Sequence, residues 1–338
     1  MLQCNGFTDA IVIVQDSAKA EVARIPEKHG LSIKVEVVGI PGQEELGTAD
    51  SLRRVSDRLT GSDILVVSGD LIMDSEGLRG LTDMHRLKKA ALTSLLGPSQ
   101  PMEGVVVPGS KSTKYKRERD LVGLSGDQIC LFTAEADVEE TVRVPPKVLA
   151  SHPRITVHSG LQDCHLYIMK HWILDYIVAD KNISTVKGEL MPVVVRKQFS
   201  SNIGNSGQPS VGDFLPPPSP WDTQSKTKYQ CLAYQPPSSL LCLRVNTVPL
   251  YWLANKGIVS PLLEKAGAPP LGPRAEVGER AQLQDTRIGE GSVISNKTSL
   301  NQVLVGQGCK VEEKVRISNC IIMDNVTVAT GSVLQVPK

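Results

Sequence analysis

No stretch of the chain reaches the roughly 20 apolar residues that a bilayer span needs. The segment after Met1 also lacks the basic-then-apolar order of a secretory signal. Net charge is scarce: 37 Lys and Arg against 36 Asp and Glu leave +1, so no general attraction to nucleic acid or an anionic membrane is implied. The seven cysteines (4, 130, 164, 231, 242, 309 and 320) contain no Cys-x-x-Cys pair. Most sit inside apolar runs and read as small core residues in a reducing compartment, so no zinc is expected. His158, His165 and His171 have spacings that suit neither one helical face nor a zinc ligand set. No Ser-His-Asp or Cys-His combination can be assembled from neighbours, so no catalytic nucleophile is assigned and no metal or cofactor is expected. What is present, a 41% hydrophobic chain of 338 residues, fits a soluble cytosolic protein of two domains at roughly 150 residues each.

The strongest pattern is a repeat. Stepping by six gives Leu271, Val277 and Leu283, then Ile288, Ile294 and Leu300, then Val305, Val311 and Ile317, and finally Ile322, Val328 and Leu334. All twelve are Ile, Leu or Val, and equivalent positions lie 17 residues apart. This is the period of a triangular solenoid in which each of three short faces sends one aliphatic side chain inward. One coil cannot bury such side chains, so stability comes from stacking. Small or β-branched residues recur two positions earlier, as Ala275, Ser292, Cys309 and Val326 in one column and Ala281, Thr298, Val315 and Ser332 in another. Gly272, Gly278, Gly289 and Gly306 follow aliphatics and are expected at tight corners. Residues 271–338 are therefore expected to form a parallel β-helix of four coils, mainly a stacking and assembly device.

Residues 1–199 alternate short apolar runs with amphipathic segments. Strands are expected at Ala10–Val14, Ile33–Val38, Asp63–Ser68, Ala91–Leu96, Gly104–Val107 and Leu166–Met169. Helices are expected at Ala18–His29, Ala49–Leu59, Glu76–Lys88, Trp172–Ala179 and Val186–Phe199. Such alternation implies an α/β domain with a largely parallel sheet and helices on both faces, and ligands at the carboxyl ends of strands. Two places fit. Gly47-Thr48-Ala49-Asp50 opens a helix with Thr48 as its expected cap and free amides that could face a base or phosphate. Val66-Val67-Ser68-Gly69-Asp70 ends a buried strand with a carboxylate that could hold Mg²⁺. An ordinary helix start and an ordinary turn are the plain alternatives.

Together these residues resemble the sugar-nucleotide pyrophosphorylases, whose nucleotidyltransferase-type domain precedes a left-handed β-helix. The resemblance implies that Gly47, Thr48 and Ala49 line a nucleobase pocket and that Asp70 meets a metal. The family's opening strand and basic phosphate loop have no counterpart, since Ala10–Val14 resembles its second strand, and Asp163 is the nearest candidate for its late carboxylate. The chain is more similar to the gamma subunits of eukaryotic translation initiation factor 2B. Gly47–Arg53 (GTADSLR), Ser68–Ile72 (SGDLI), His152–Ile155 (HPRI), Gly160–Tyr167 (GLQDCHLY) and Glu189–Ser201 (ELMPVVVRKQFSS) carry that likeness. Val315–Asn319 (VRISN) and Asn325–Val328 (NVTV) extend it into the repeat.

That resemblance implies a nucleotidyltransferase-like mixed-sheet domain over residues 1–199 and a left-handed β-helix over 271–338. It implies a non-catalytic subunit that pairs with an epsilon-type chain and the other subunits of the factor, supporting GDP/GTP exchange on translation initiation factor 2. The vestigial nucleotide site would comprise Gly47, Thr48, Ala49 and Asp70. A sugar-phosphate nucleotidyltransferase or a nucleotide-sensing relative is the alternative. Four coils ending at Lys338 and the absent opening strand are read as truncation, through an isoform, a fragment or an incomplete gene model. Residues 200–238, rich in Gly, Ser and Pro, are expected to be a linker, and 239–270 a connecting segment. Lys111–Arg119 (KSTKYKRER) is expected to be a solvated loop.

Overall fold

A computed structural model describes residues 1–42, 46–98, 119–138, 140–200, 209–217, 229–254 and 270–335. The expected strand Gly104–Val107 and most of the basic run lie outside them. Two compact units divide at Leu243 and Arg244.

The first unit opens with strand β1 (Asp9–Gln15), helices α1 (Asp16–Ala23) and α2 (Ile25–Lys28), and strand β2 (Lys34–Ile40). β1 and β2 pair in parallel from Asp9–Lys34 to Gln15–Ile40 as a two-stranded sheet of their own. The β-branched run Ile11-Val12-Ile13-Val14 favours this extended state, yet every one of these side chains is only half-buried. Next come α3 (Thr48–Arg54), β3 (Asp63–Val67), β4 (Leu71–Met73), α4 (Ser75–Leu87) and β5 (Leu92–Pro98). On α4 the buried residues Leu78, Leu81 and His85 fall at helical spacing and form its inner face. The unit continues with β6 (Asp120–Ser125), β7 (Gln128–Ala134), α5 (Pro146–Ser151), β8 (Thr156–Lys170), α6 (His171–Ala179), a π-turn (Val186–Leu190), α7 (Met191–Lys197), β9 (Cys231–Tyr234) and β10 (Cys242–Arg244).

Six of these strands form one sheet in the order β3-β8-β5-β9-β7-β6, and β6 returns to pair with β8. The sheet is mixed rather than largely parallel: within it only β5 and β9 run parallel. The reason is local. A tight turn with Gly126 at φ +60° joins β6 to β7, and a short turn can connect only antiparallel neighbours. β8 then runs for 15 residues against β3, β5 and β6 in turn. β9 falls within the stretch expected to be a linker, yet Cys231, Leu232 and Ala233 are buried in mid-sheet. The main core packs Leu92, Leu96, Ile129 and Met169 of the sheet against Ile173 and Leu190.

The second unit carries helix α8 (Val248–Leu253) and a stack of short strands: β11 (Glu276–Val277), β12 (Gln282–Gln284), β13 (Arg287–Ile288), β14 (Val293–Ile294), β15 (Ser299–Val305), β16 (Lys310–Val311), β17 (Arg316–Ile322), β18 (Thr327–Val328) and β19 (Val333–Gln335). All pair in parallel, each residue with the one 17 positions later, as Val277–Ile294–Val311–Val328 and Leu283–Leu300–Ile317–Leu334 illustrate. The inward aliphatics of the two middle rows, such as Ile294, Leu300, Val311 and Ile317, are at most 3% exposed. Leu271, Val277 and Leu283 of the first row are 38% exposed, because stacking covers them from one side only. The buried hydroxyls of the small columns are satisfied between rows: Ser292 donates to the Gly306 carbonyl at 2.8 Å and accepts from the Cys309 amide at 2.9 Å.

The glycines serve a purpose different from the expected one. Left-handed backbone in the repeat falls on Arg274, Gly291, Gly308 and Asn325, on Arg280, Lys297, Lys314 and Gly331, and on Asp285, Gln302 and Asn319, all three series in the 17-residue register. Gly289 instead lies where rows touch, since a Cβ there would sit 2.4 Å from the Gly306 carbonyl oxygen.

Ile317→Ala is expected to destabilise the second unit by about 2–5 kcal/mol, whereas truncating an exposed side chain stays within about 0.5 kcal/mol. Denaturant titration of Ile317→Ala and of Met323→Ala, a site 65% exposed, separates the two.

Candidate functional site

Three of the four residues singled out above gather at the start of α3. Gly47 is the residue that caps this helix, and Thr48 is its first turn rather than its cap. The Gly47 amide donates to the Asp50 carboxylate at 3.2 Å, and the Ser51 hydroxyl returns to the Gly47 carbonyl at 2.9 Å. The helix amides do not face open space. Those of Ala49 and Asp50 donate to the carbonyl of Ser184, at 2.8 and 3.3 Å. The Thr48 hydroxyl accepts from the Val186 amide at 2.8 Å. A Cβ at position 47 would stand 2.1 Å from the Ser184 carbonyl oxygen, so the approach requires glycine. Ala49 is fully buried. A base or phosphate seated on these amides would have to displace the backbone of residues 184–186.

Arg53 explains why that backbone stays. Its guanidinium donates to the carbonyls of Ile177, Asp180 and Ile183 at 2.9–3.0 Å and pairs with Asp50 on the same helix. A planar guanidinium offers five donors in a rigid fork, so it meets several carbonyls with less ordering than the three donors of a flexible ammonium. This one side chain gathers the whole turn after α6 onto α3. The string GTADSLR contained Arg53 but gave no sign of this role. Ser184 left no sign either, because its backbone carbonyl does the work.

Asp70 belongs to a different element, the turn between β3 and β4, closed by the Leu71 amide donating to the Ser68 carbonyl at 3.3 Å. One of its carboxylate oxygens is buried. A cavity of about 230 Å³ beside β7 and α7, with Arg143 and Arg196 in its wall, includes none of Gly47, Thr48, Ala49 or Asp70. Among the described residues no group of three His, Cys, Asp or Glu side chains could hold a metal ion. No described helix is long and apolar enough to cross a membrane.

Asp163 has a distinct environment. It is fully buried. It sits where β8 bulges against β5, between the pairs Ser94–Tyr167 and Leu96–Asp163, with His165 in left-handed backbone at φ +53°. Its carboxylate accepts from the Tyr167 hydroxyl at 2.6 Å and the His165 amide at 2.9 Å, and its own amide donates to Asp120 at 2.9 Å. Asp120, equally buried, pairs with Lys187 at 3.1 Å. Burial pushes the Asp163 acid up to about 6, against the opposing pull of the Tyr167 and His165 hydrogen bonds.

These interactions yield two expectations. Arg53→Lys should lose at least two of the charge-assisted bonds and cost about 2–4 kcal/mol in thermal or chemical unfolding. Between the ordinary carboxylate range and about pH 6, folded Asp163 holds a proton that the unfolded chain has released. Stability should therefore fall by about 3 kcal/mol as pH rises through that window. Guanidinium unfolding at stepped pH should show this limb flattened in Asp163→Asn.

No family model matches the chain. In sequence it is similar to translation initiation factor eIF2B subunit gamma of Dictyostelium discoideum, at 25% identity over 89% of this chain and 76% of that one. The same-named subunit of Schizosaccharomyces pombe is 28% identical over 88% of this chain and 64% of its own length, and that of Caenorhabditis elegans 27% over 75% and 57%. The chain thus spans less than two thirds of the latter two.

Proposed function

We infer that this chain, a relative of the gamma subunits of translation initiation factor eIF2B, works in translation initiation as one subunit of that multi-subunit factor. The likeness extends over both units, so it supports a nucleotidyltransferase-like first domain and a left-handed β-helix as the second. Within the factor the chain would be non-catalytic. An epsilon-type partner would carry GDP/GTP exchange on initiation factor 2 in the cytosol, and the gamma chain would support it as a scaffold.

The observation that carries the non-catalytic reading is the closed start of α3. A pocket built on Gly47, Thr48 and Ala49 needs their helix amides, and the Ser184 carbonyl takes those of Ala49 and Asp50. Unpaired helix-start amides make an anion site; paired ones do not. In this proposal Gly47, Thr48, Ala49 and Asp70 keep the frame of a nucleotide site and use it to join α3 to the turn after α6.

Two measurements test it. Affinity purification of the full chain from eukaryotic cells should recover an epsilon-type subunit in stoichiometric amount, and recovery of the chain alone would overturn the subunit assignment. Isothermal titration with nucleoside triphosphates and Mg²⁺ should give no tight binding. Micromolar affinity that disappears in Asp70→Ala would instead establish a working nucleotide site.

A further inference from the structure

We propose that Cys164 and Cys242 form an oxidation site, a buried thiol pair that a peroxide converts into a disulfide joining β8 to β10. The two sulfurs are in contact at 3.5 Å although 78 positions separate them in sequence. Both cysteines are free, and they are 4% and 7% exposed. The space between them is kept by a third strand. A Cβ at Gly97 on β5 would lie 2.8 Å from the Cys164 sulfur and 3.6 Å from that of Cys242, so a larger residue would push into the pair. A disulfide bond of about 2.05 Å requires the sulfurs to close by about 1.5 Å. The movable partner is β10, three residues long and held by β4 and by the backbone of Leu241, which exchanges hydrogen bonds with Asp74. Cys164 lies midway along β8, in the bulge of that strand, with ladder pairs to β5 on either side of it at Asp163 and Tyr167.

The pair also differs from the other buried thiols. Cys130 is pushed up to about 11 by burial, and Cys231 higher still for the same reason. Cys242 moves the opposite way: the hydrogen bond from the Cys164 thiol favours its thiolate and outweighs burial. That same bond, followed by burial, holds the Cys164 proton in place. The contact lets either sulfur donate; in the proposed step Cys242 acts as the nucleophile and Cys164 as the resolving thiol.

The chemistry balances with hydrogen peroxide as oxidant. The Cys242 sulfur takes one oxygen as the O–O bond breaks, giving a sulfenic acid and one water. The Cys164 sulfur then attacks the sulfenic sulfur; the S–S bond forms, the S–O bond breaks, and the hydroxyl leaves with the Cys164 proton as a second water. Two thiols are oxidised, one peroxide is reduced, and one disulfide and two waters result. Cys242 stands one residue before the last of the first unit, Leu243. The disulfide would therefore fasten the segment by which the chain leaves that unit.

The test uses the reduced full chain, treated with hydrogen peroxide at neutral pH. The remaining thiols are then blocked with N-ethylmaleimide in denaturant and the peptides mapped by mass spectrometry. The expected product is a cross-link between the Cys164 and Cys242 peptides, dominant over every other pairing and reversed by dithiothreitol. It should raise Tm by about 5 °C or more, because it closes a long loop. Cys164→Ala and Cys242→Ala should each abolish it, and Gly97→Ala should slow its formation in a chain that keeps both thiols. Recovery of both cysteines in alkylated form while Cys4 is oxidised would overturn the proposal, as would Cys242 driven to sulfinic acid without a cross-link.

Discussion

A strand 15 residues long cannot keep one set of neighbours, and much of the first unit depends on how β8 changes partners. β5 stays beside it from Leu161 to Met169, while its other edge passes from β3 on the second half to β6 on the first. The change is made at a bulge around Asp163 to Leu166, where strict alternation breaks and an amide is left over. The Asp163 carboxylate accepts that amide, from His165, and Asp120 accepts the amide of Asp163 itself. Two buried acids thus replace ladder bonds that the backbone has given up. An unpaired buried amide would cost about as much as a lost hydrogen bond, which explains why acids are tolerated where the sheet is driest. Lys187 pairs with the Asp120 carboxylate, and burial makes Asp163 hold its proton more tightly.

Different parts of this architecture were legible in the sequence to different degrees. The repeat was plain because twelve aliphatic positions share one period, and the strands pair in that period without a slip. The reason for its glycines was not plain. Composition cannot distinguish a residue that needs left-handed backbone from one that must let a neighbouring row approach, and here charged residues such as Lys297 and Lys314 turn the corners. In the first unit the elements rich in Val, Ile and Leu were found near their true bounds: β1, β3, β5, α4 and α6. β6 and β7 were missed because they form a hairpin with weak alternation. β9, only four residues long, was hidden among prolines and serines; its burial is decided by β5 and β7, not by its own pattern.

The start of α3 shows the limit most clearly. Gly47, Thr48 and Ala49 were singled out for the right local feature, a glycine turn opening a helix. Whether such a turn binds anything depends on what stands opposite. Here a backbone carbonyl more than a hundred residues away stands opposite, held there by an arginine that bonds three further backbone carbonyls. No periodicity records a partner of that kind. In this chain the close approach at Gly47 and the Thr48 hydroxyl serve as a joint to the turn after α6.

The ribbon of β1 and β2 has one more consequence. Its strands bond to each other and to no other strand among those described, and none of its side chains, nor any of α1, is fully buried. The six-stranded sheet shares no ladder with it. Cooperative unfolding needs shared contacts, and where they are few a segment opens on its own. The hydrogens of the ribbon should thus exchange through local opening, while those of β5 and β8 wait for the whole first unit to come apart.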